Sequence, residues 1–332
     1  MSNQFKSSCI LDKKEGLVIS NLNKIYHGDA QELIESIEPG TISLSFWSPP
    51  YFVGKEYEKG ATYDTWQLLL KNVIRGHAQA LKPGGFMVIN IANILCFEDP
   101  DIPKFQANNI SMRRSVVTRE MVIEAKEKHP QYNRNELAAL LGCSEQTIDR
   151  RMNGNNIRGG KYSNQTKVKL VGGQLQAYGE EVGLYLYDKR IWKKDPAWAN
   201  SKWTSTSLKA VSETEDLYVF WKPGEQVIDR AKLSTEEWKT WGTRQVWEIS
   251  SVRKNHDHEA KFPIELATRV IRLYSDPGDT VLDPFMGSGT TAVAALQWDR
   301  NYIGFEKEQK YVSLAEQNID LFKEQLMLPI YV

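Results

Sequence analysis

Thr280-Val281-Leu282-Asp283-Pro284-Phe285-Met286-Gly287-Ser288-Gly289-Thr290-Thr291 decides the reading of this chain. Thr280–Leu282 is a short apolar run the size of a buried strand, and Asp283–Gly289 is a turn built on Gly-x-Gly. A helical stretch, Ala292–Trp298, comes next, then a second apolar run, Asn301–Phe305, with Glu306 at its C-terminal end. Strand, glycine turn, helix, strand and acid make up the mononucleotide-binding half of a doubly wound α/β sheet. Glu306 stands 17 residues past Gly289, in register for an acid that accepts both hydroxyls of a ribose. Gly-x-Gly alone carries little; the flanking elements and the acid make it a site for an adenosine.

Outward from this core, Lys261-Phe262-Pro263 opens a helix to Tyr274, and Asp276-Pro277-Gly278-Asp279 is a turn. The start of the chain alternates in the same way. Leu17-Val18-Ile19 and Lys24-Ile25-Tyr26-His27 read as short strands, and a helix after Gly28-Asp29-Ala30 carries Leu33, Ile34 and Ile37 at helical spacing. Asp29 either sits at a strand's C-terminal end, where open α/β sheets bind ligands, or simply caps that helix. Ile42–Trp47 is the next strand; a helix over Tyr63–Leu81 follows, then a turn at Lys82-Pro83-Gly84-Gly85 and a strand over Phe86–Ala92. This β-α-β-α-β order predicts a parallel sheet covered by helices.

The strand Ile42–Trp47 runs into Ser48-Pro49-Pro50-Tyr51. Neither proline has an N–H for a ladder, so the strand stops abruptly and leaves carbonyls without sheet partners. Acceptors beside an aromatic ring suit a planar ring carrying an amino group. The plain alternative is a strand-ending turn. Phe52–Thr62, with two glycines and alternating charge, reads as a loop beside it.

From about Glu98 to Tyr178 the alternation breaks. Between Met112 and Leu170 there are 12 Lys and Arg against 6 Asp and Glu. Within this basic stretch, Asn133–Gly154 reads as two helices joined at Gly142, with Ser144 capping the second. Leu137, Leu140 and Leu141 give the first helix an apolar face, and Ile148 and Met152 face back to it. Gln146, Thr147, Arg150 and Arg151 lie largely on the outer face, and Arg158 and Lys161 begin a flexible basic arm suited to phosphates. The pair resembles the helix-turn-helix of repressor-type DNA-binding proteins; a structural hairpin is the other reading.

Strand pattern returns at Gly183–Tyr187 and Leu217–Trp221. Leu233–Thr240 reads as a short helix with Ser234 and Glu237 as a capping box, and Trp241–Asn255 as irregular. Trp192, Trp198 and Trp203 are core residues or stacking partners for bases. The expected divisions are residues 20–97, 98–178, 179–223, 224–255 and 256–325, the fourth a possible further target-recognition segment.

The bulk numbers narrow the class. The chain has 332 residues, with 42 Lys and Arg balancing 42 Asp and Glu, so a nucleic-acid surface must come from local charge segregation. No run approaches the roughly 18 apolar residues of a membrane span, and the first residues lack the apolar core of a signal peptide. Three scattered cysteines, Cys9, Cys96 and Cys143, argue for a cytoplasmic protein without disulfides or a zinc site. His256 and His258 stand without a ligand cluster, so no metal is expected.

The ligand narrows too. A dinucleotide is disfavoured because the third glycine of its fingerprint is missing and Thr290-Thr291 crowd the pyrophosphate position. Asp-Pro-Phe-Met-Gly-Ser-Gly-Thr together with Ser-Pro-Pro-Tyr resembles the beta class of DNA amino-methyltransferases, in which the catalytic motif precedes the cofactor motif. The resemblance covers about residues 20–95, 180–223 and 255–320. It implies an α/β fold: a doubly wound, mostly parallel, Rossmann-like methyltransferase sheet in circularly permuted order, with an inserted helical DNA-binding module. It implies S-adenosyl-L-methionine as cofactor, held by Asp29, Phe262, Asp283, Phe285, Gly287, Gly289, Thr290 and Glu306, and Ser48, Pro49, Pro50 and Tyr51 as the catalytic motif.

Ser-Pro-Pro-Tyr goes mostly with cytosine-N4 enzymes of that family, and Asp- or Asn-Pro-Pro-Tyr with adenine-N6 enzymes. The implied partner is double-stranded DNA, with a cognate restriction endonuclease acting on the same site without a stable complex. Tyr51 would stack on a flipped base, while Ser48 Oγ and the Pro49 carbonyl accept its amino hydrogens. No cysteine lies in a Pro-Cys context, which disfavours attack on a ring carbon. The rival readings are an adenine-N6 enzyme, a non-catalytic helix-turn-helix regulator and a nicotinamide oxidoreductase.

Overall fold

The computed structural model describes residues 18–51, 62–92, 94–98, 105–108, 116–153, 159–163, 166–196, 210, 212–252 and 261–327. The chain forms two compact units. One holds residues 1–96, 168–196 and 213–332; the other holds 97–167 and 197–212.

The first unit is organised on an eight-stranded sheet in the order β1-β12-β11-β2-β3-β9-β8-β10. In chain order its strands are β1 (Lys24–His27), β2 (Ile42–Trp47), β3 (Leu81–Ile91), β8 (Tyr185–Lys193), β9 (Thr214–Trp221), β10 (Val246–Glu248), β11 (Thr280–Asp283) and β12 (Asn301–Glu306). Strand β9 pairs antiparallel with both β3 and β8, and every other pairing is parallel. A parallel strand at the centre of such a sheet is covered on both faces. That is why β2, Ile-Ser-Leu-Ser-Phe-Trp, is buried at all six positions and β11 at all four.

The two serines of β2 are matched. Ser43 Oγ donates to Asp279 Oδ1 at 2.6 Å, and Ser45 Oγ lies 3.0 Å from Leu282 O and 2.7 Å from His77 Nε2. Burial pushes the His77 imidazole down to about 4, so it sits in the core as the neutral ring, stacked on Trp47 at 5.7 Å.

Helices cover the sheet: α1 (Ala30–Leu33), α2 (Tyr63–Ala80), α6 (Gly172–Glu181), α7 (Thr235–Glu237), α8 (Ile264–Tyr274), α9 (Thr290–Gln297) and α10 (Gln309–Met327). Helix α8 buries Leu266, Ala267, Val270, Ile271 and Tyr274, a stripe at helical spacing. Each such aliphatic side chain taken fully from water contributes about 1.5–3 kcal/mol. No helix among the described residues is long and apolar enough to cross a membrane.

Several local expectations shift. Ile19 makes only an isolated bridge to Ile37, and Leu17 lies outside the described residues. Strand β3 begins at Leu81, so the Lys82–Gly85 turn is absorbed as an irregularity in its pairing with β2. Strand β8 runs on to Lys193, and β10 forms within a stretch expected to be irregular. Tryptophan N–H groups explain the extra order: Trp192 donates to Ile249 O and Trp247 to Trp241 O, both at 2.8 Å, so both of these rings can be buried. Helix α7 is shorter than expected and passes into a π turn over Trp238–Gly242, although the Ser234–Glu237 capping box is present.

The second unit carries α3 (Arg119–Lys128), α4 (Arg134–Leu140) and α5 (Glu145–Asn153), with β5 (Phe105–Asn108) paired antiparallel to β6 (Gly159–Ser163). Val117, Val122, Ala125, Leu137, Ala138 and Ile148 form its own small core. Strands β4 (Ile94–Glu98) and β7 (Thr166–Leu170) pair where the chain passes from one unit to the other and back.

Candidate active site

The order β11-β2 is a switch point. From β11 the chain proceeds to β12 on one side, and from β2 to β3 on the other. Ligands of open α/β sheets bind in the crevice at such a point, beyond the C-terminal ends of the strands. Here those ends carry Asp29 (after β1), Ser48–Tyr51 (after β2), Asp283–Gly289 (after β11) and Glu306 (end of β12). Two motifs far apart in the sequence become neighbours through one strand pairing, Val281 with Leu44 and Leu282 with Ser45.

The glycine turn is fixed by its own acids. Asp283 Oδ1 accepts the Phe285 N–H at 2.9 Å and Oδ2 accepts the Thr291 hydroxyl at 2.6 Å. Burial, with the charge of Glu306 adding to it, pushes the Asp283 carboxyl up to about 7 against those two hydrogen bonds. Gly287 and Gly289 have φ of +53° and +86°, the left-handed region that a side chain enters only at a cost. Gly289 precedes α9, and a Cβ there would lie 3.1 Å from Ala315 Cβ.

Glu306 Oε2 accepts the Gly287 N–H and Oε1 the Glu308 N–H, each at 2.9 Å. Burial raises its carboxyl above the ordinary range despite these bonds. A carboxylate offers about four lone-pair sites, so each oxygen keeps one for a hydroxyl. Burial also opposes the charge on Asp29, but the Gln31 N–H (2.9 Å) and Lys307 Nζ (3.1 Å) outweigh it and hold that carboxyl low. Asp29 therefore does cap α1, just beyond the C-terminal end of β1. Phe262 packs on Phe46 at 5.0 Å and Phe285 on Trp47 at 5.4 Å, which gives two half-buried rings near the strand ends. Thr290 is half-buried, its hydroxyl 3.5 Å from Ser288 Oγ; the neighbouring Thr291 is the one that holds Asp283.

The second motif is backed by residues that sequence reading missed. Ser48 Oγ donates to Asn90 O at 2.8 Å and lies 2.9 Å from the Tyr51 hydroxyl. That hydroxyl donates to Glu215 Oε2 at 2.6 Å, and Asn90 Nδ2 donates to the same oxygen at 2.7 Å. Lys194 pairs with Glu215 Oε1. Asn90 and Glu215 are 1% and 6% exposed. Tyr51 is thus held by its hydroxyl, not merely left at the crevice lip. The Pro50 carbonyl accepts the Trp66 indole N–H at 2.7 Å, so of the carbonyls at this turn that one is already used. Asn90 Oδ1 and Trp47 Nε1 are buried and find no partner among the described residues. Such orphans cost about 1–3 kcal/mol each and concentrate at functional sites.

In the second unit, Asn133 and Glu136 form a capping box at α4, Gly142 makes the turn at φ +60°, and the Ser144 hydroxyl accepts the Thr147 N–H at 3.3 Å. Gln146 is exposed and accepts from Arg150 at 3.3 Å. Thr147 is half-buried, its hydroxyl 3.1 Å from Ser144 Oγ. Three expectations are corrected. Arg151 Nε donates to Val117 O at 2.9 Å, which ties α5 to the chain before α3 instead of leaving the side chain wholly outward. Leu140 and Met152 are exposed, because Val122 and Ala125 of α3 fill the space behind Leu137 and Ile148. Arg158 lies outside the described residues; Lys161 falls on β6, and its side chain lies outside them too. So do Cys9, Trp198, Trp203, His256, His258 and most of the Phe52–Thr62 loop. Among the described residues no cluster of metal ligands forms.

Comparison with known proteins gives a consistent picture. A family model described as DNA methylase matches residues 42–317. The Type II methyltransferase M.BglI of Bacillus subtilis is 60% identical over 300 residues, covering 90% of this chain and 86% of that protein. The Type II methyltransferase M.MjaI of Methanocaldococcus jannaschii is 30% identical over 162 residues, 44% of this chain and 53% of its own. Among solved structures, TTHA0409 of Thermus thermophilus complexed with S-adenosyl-L-methionine superposes with a TM-score of 0.58 at 23% identity, over 90% of this chain and 94% of that one. The PvuII DNA methyltransferase (cytosine-N4-specific) gives 0.55 at 19% identity, over 96% and 91%. At these identities the two structures speak for the shared fold.

Proposed function

The chain belongs to the N6/N4 DNA methylase family, in its beta-class order, and from that premise we propose that it moves a methyl group from S-adenosyl-L-methionine to the N4 amino group of a cytosine flipped out of duplex DNA. The observation that carries the choice of base is Ser48. It places a neutral hydroxyl, not a carboxylate or amide, at the head of Ser-Pro-Pro-Tyr, beside the crevice that holds the adenosine residues.

The residues present fit the cofactor. Glu306 keeps free acceptor capacity for ribose hydroxyls, the 285–289 turn brings backbone close, and Phe262 and Phe285 supply apolar walls. When bound, S-adenosyl-L-methionine supplies an electrophilic methyl on a sulfonium. The chain's own work is positioning. An exocyclic amine is a poor nucleophile because its lone pair is delocalised into the ring. Ser48 Oγ already spends its proton on Asn90 O and accepts from Asn90 Nδ2 at 3.3 Å, which leaves one lone pair to accept from the amine. That pulls the nitrogen toward tetrahedral geometry and frees its lone pair for in-line attack. Tyr51, with its hydroxyl fixed, stacks on the base and offsets about 1–3 kcal/mol of the cost of flipping it. Helix α5, through Gln146, Thr147 and Arg150, contacts DNA, with Arg158 and Lys161 on phosphates.

The natural setting is a restriction-modification pair, with methylation protecting DNA from an endonuclease that reads the same site. The test is a nucleoside digest of duplex DNA incubated with the cofactor. N4-methylcytosine supports the reading. N6-methyladenine moves it to the other substrate of the same family, and no methylated base leaves a DNA-binding regulator.

A further inference from the structure

Methylating an exocyclic amine leaves a proton to dispose of, and Ser48 is not a base. We propose that Glu215 is the terminal acceptor of that proton, reached through the Ser48 and Tyr51 hydroxyls. The inference rests on the methyl-transfer reading above.

The geometry carries it. Ser48 Oγ lies 2.9 Å from the Tyr51 oxygen, within reach of the Ser48 proton once it turns from Asn90 O, and the Tyr51 hydroxyl donates to Glu215 Oε2 at 2.6 Å, so the path ends on a carboxylate. The carboxylate is 6% exposed, so no bulk water competes for its oxygens. A carboxyl group buried to that degree is tolerated only with partners, and among the described residues Glu215 has three: Lys194 on Oε1, and the Tyr51 hydroxyl and the Asn90 amide on Oε2. Lys194 is itself 19% exposed, so the far side of the pair approaches solvent. Fixing an aromatic ring needs only a neutral acceptor. A carboxyl group also offers an oxygen that can take up a proton.

The step balances. The amine nitrogen forms its bond to the methyl carbon, the C–S bond of the sulfonium donor breaks, and that electron pair leaves with sulfur. The cationic nitrogen then gives a proton to Ser48 Oγ. Ser48 turns its own proton from Asn90 O to the Tyr51 oxygen, and Tyr51 passes its proton to Glu215 Oε2. Both hydroxyls end neutral, the base ends neutral, and Glu215 ends as the acid, which returns its proton to water as product leaves. Nothing is oxidised or reduced.

Glu215→Gln separates the two roles, since a glutamine oxygen accepts hydrogen bonds from Tyr51 and Asn90 but takes no proton. The expected result is a single-turnover methylation rate lowered roughly 10²-fold, within the usual range for lost general-base help. KM for DNA, cofactor affinity by calorimetry and base flipping by 2-aminopurine fluorescence should stay within about twofold of the parent. Tyr51→Phe keeps the stacking ring and cuts the chain of hydroxyls, so it should show the same drop, and the double variant should lose little more than either single one. A Glu215→Gln rate within about threefold of the parent, or a loss confined to DNA affinity or flipping, overturns the relay. If Glu215→Gln does not fold, Tyr51→Phe decides alone: parent-like turnover overturns the relay. A parent protein that methylates no base sinks the methyl-transfer reading and the relay with it, which is a different result from an active parent with an unaffected variant.

Discussion

The backbone N–H of Gly287 donates to Glu306 Oε2 at 2.9 Å, so the turn after β11 is clasped by the acid that ends β12. One carboxylate thereby shapes the turn and faces the crevice. Glu306→Ala removes the acceptor for two backbone N–H groups and, on the proposed reading, the ribose acceptor too. Cofactor affinity should fall about tenfold to a hundredfold, as expected for hydrogen bonds to a charged group. Isothermal calorimetry checks it; unchanged affinity would contradict the placement of the cofactor.

Ser48→Ala removes one hydroxyl from the strand end and leaves the glycine turn alone. Turnover should fall by at least about 10²-fold with cofactor affinity unchanged. Turnover and calorimetry together check it, and full turnover would free Ser48 of its role.

Asp283 gives the fold a pH signature. Its folded-state carboxyl stands at about 7, above the unfolded value of about 4, because burial favours the protonated form. The stabilisation is fully present below the unfolded value and is lost as pH rises through the folded one. Asp283→Asn mimics the neutral form. Between about pH 5 and about pH 7 the parent should lose stability relative to this variant by up to about 1.4 kcal/mol per pH unit. Urea unfolding of both proteins across that window, without cofactor, measures the difference; parallel curves would refute it.

The two arginines of α5 should part company. Arg151 holds Val117 O, so Arg151→Ala should cost the second unit about 1–2 kcal/mol. Among the described residues Arg150 has only Gln146, on its own helix, as a side-chain partner, so Arg150→Ala should weaken DNA binding and lower the salt slope by about one. Melting curves and salt-dependent titrations distinguish them. Identical behaviour of the two variants would undo the assignment.

What the sequence made legible is the part written in contiguous runs. Strands β2, β11 and β12 are buried on both faces, so their apolar residues stand together, and the motifs at their ends identify the crevice. Glu215 was not legible. In Ser-Glu-Thr-Glu-Asp it looks like a surface acid, and only the antiparallel register of β9 on β3, Ile91 opposite Asp216, brings it behind Ser48. Asn90 looks like a polar lapse in a strand until that register is known. Arg151 reads as outward from helical spacing alone, because the acceptor that turns it back lies 34 positions earlier. Leu140 and Met152 look like core in a two-helix pattern, and a third helix, α3, takes that place instead.

The pairing of β2 with β11 joins residues 237 positions apart, Ser45 and Leu282, and β1 waits in the same way for β12. As the chain leaves the ribosome, strand β2, which leads into Ser48, emerges before β11 and lies at an open sheet edge until β11 arrives. Such long-range closure makes folding slow and leaves that edge exposed to mispairing meanwhile. It also makes competence abrupt. A chain made only that far has the residues that would meet the base but not the turn that would hold the donor, so modification of DNA waits for β11 and β12.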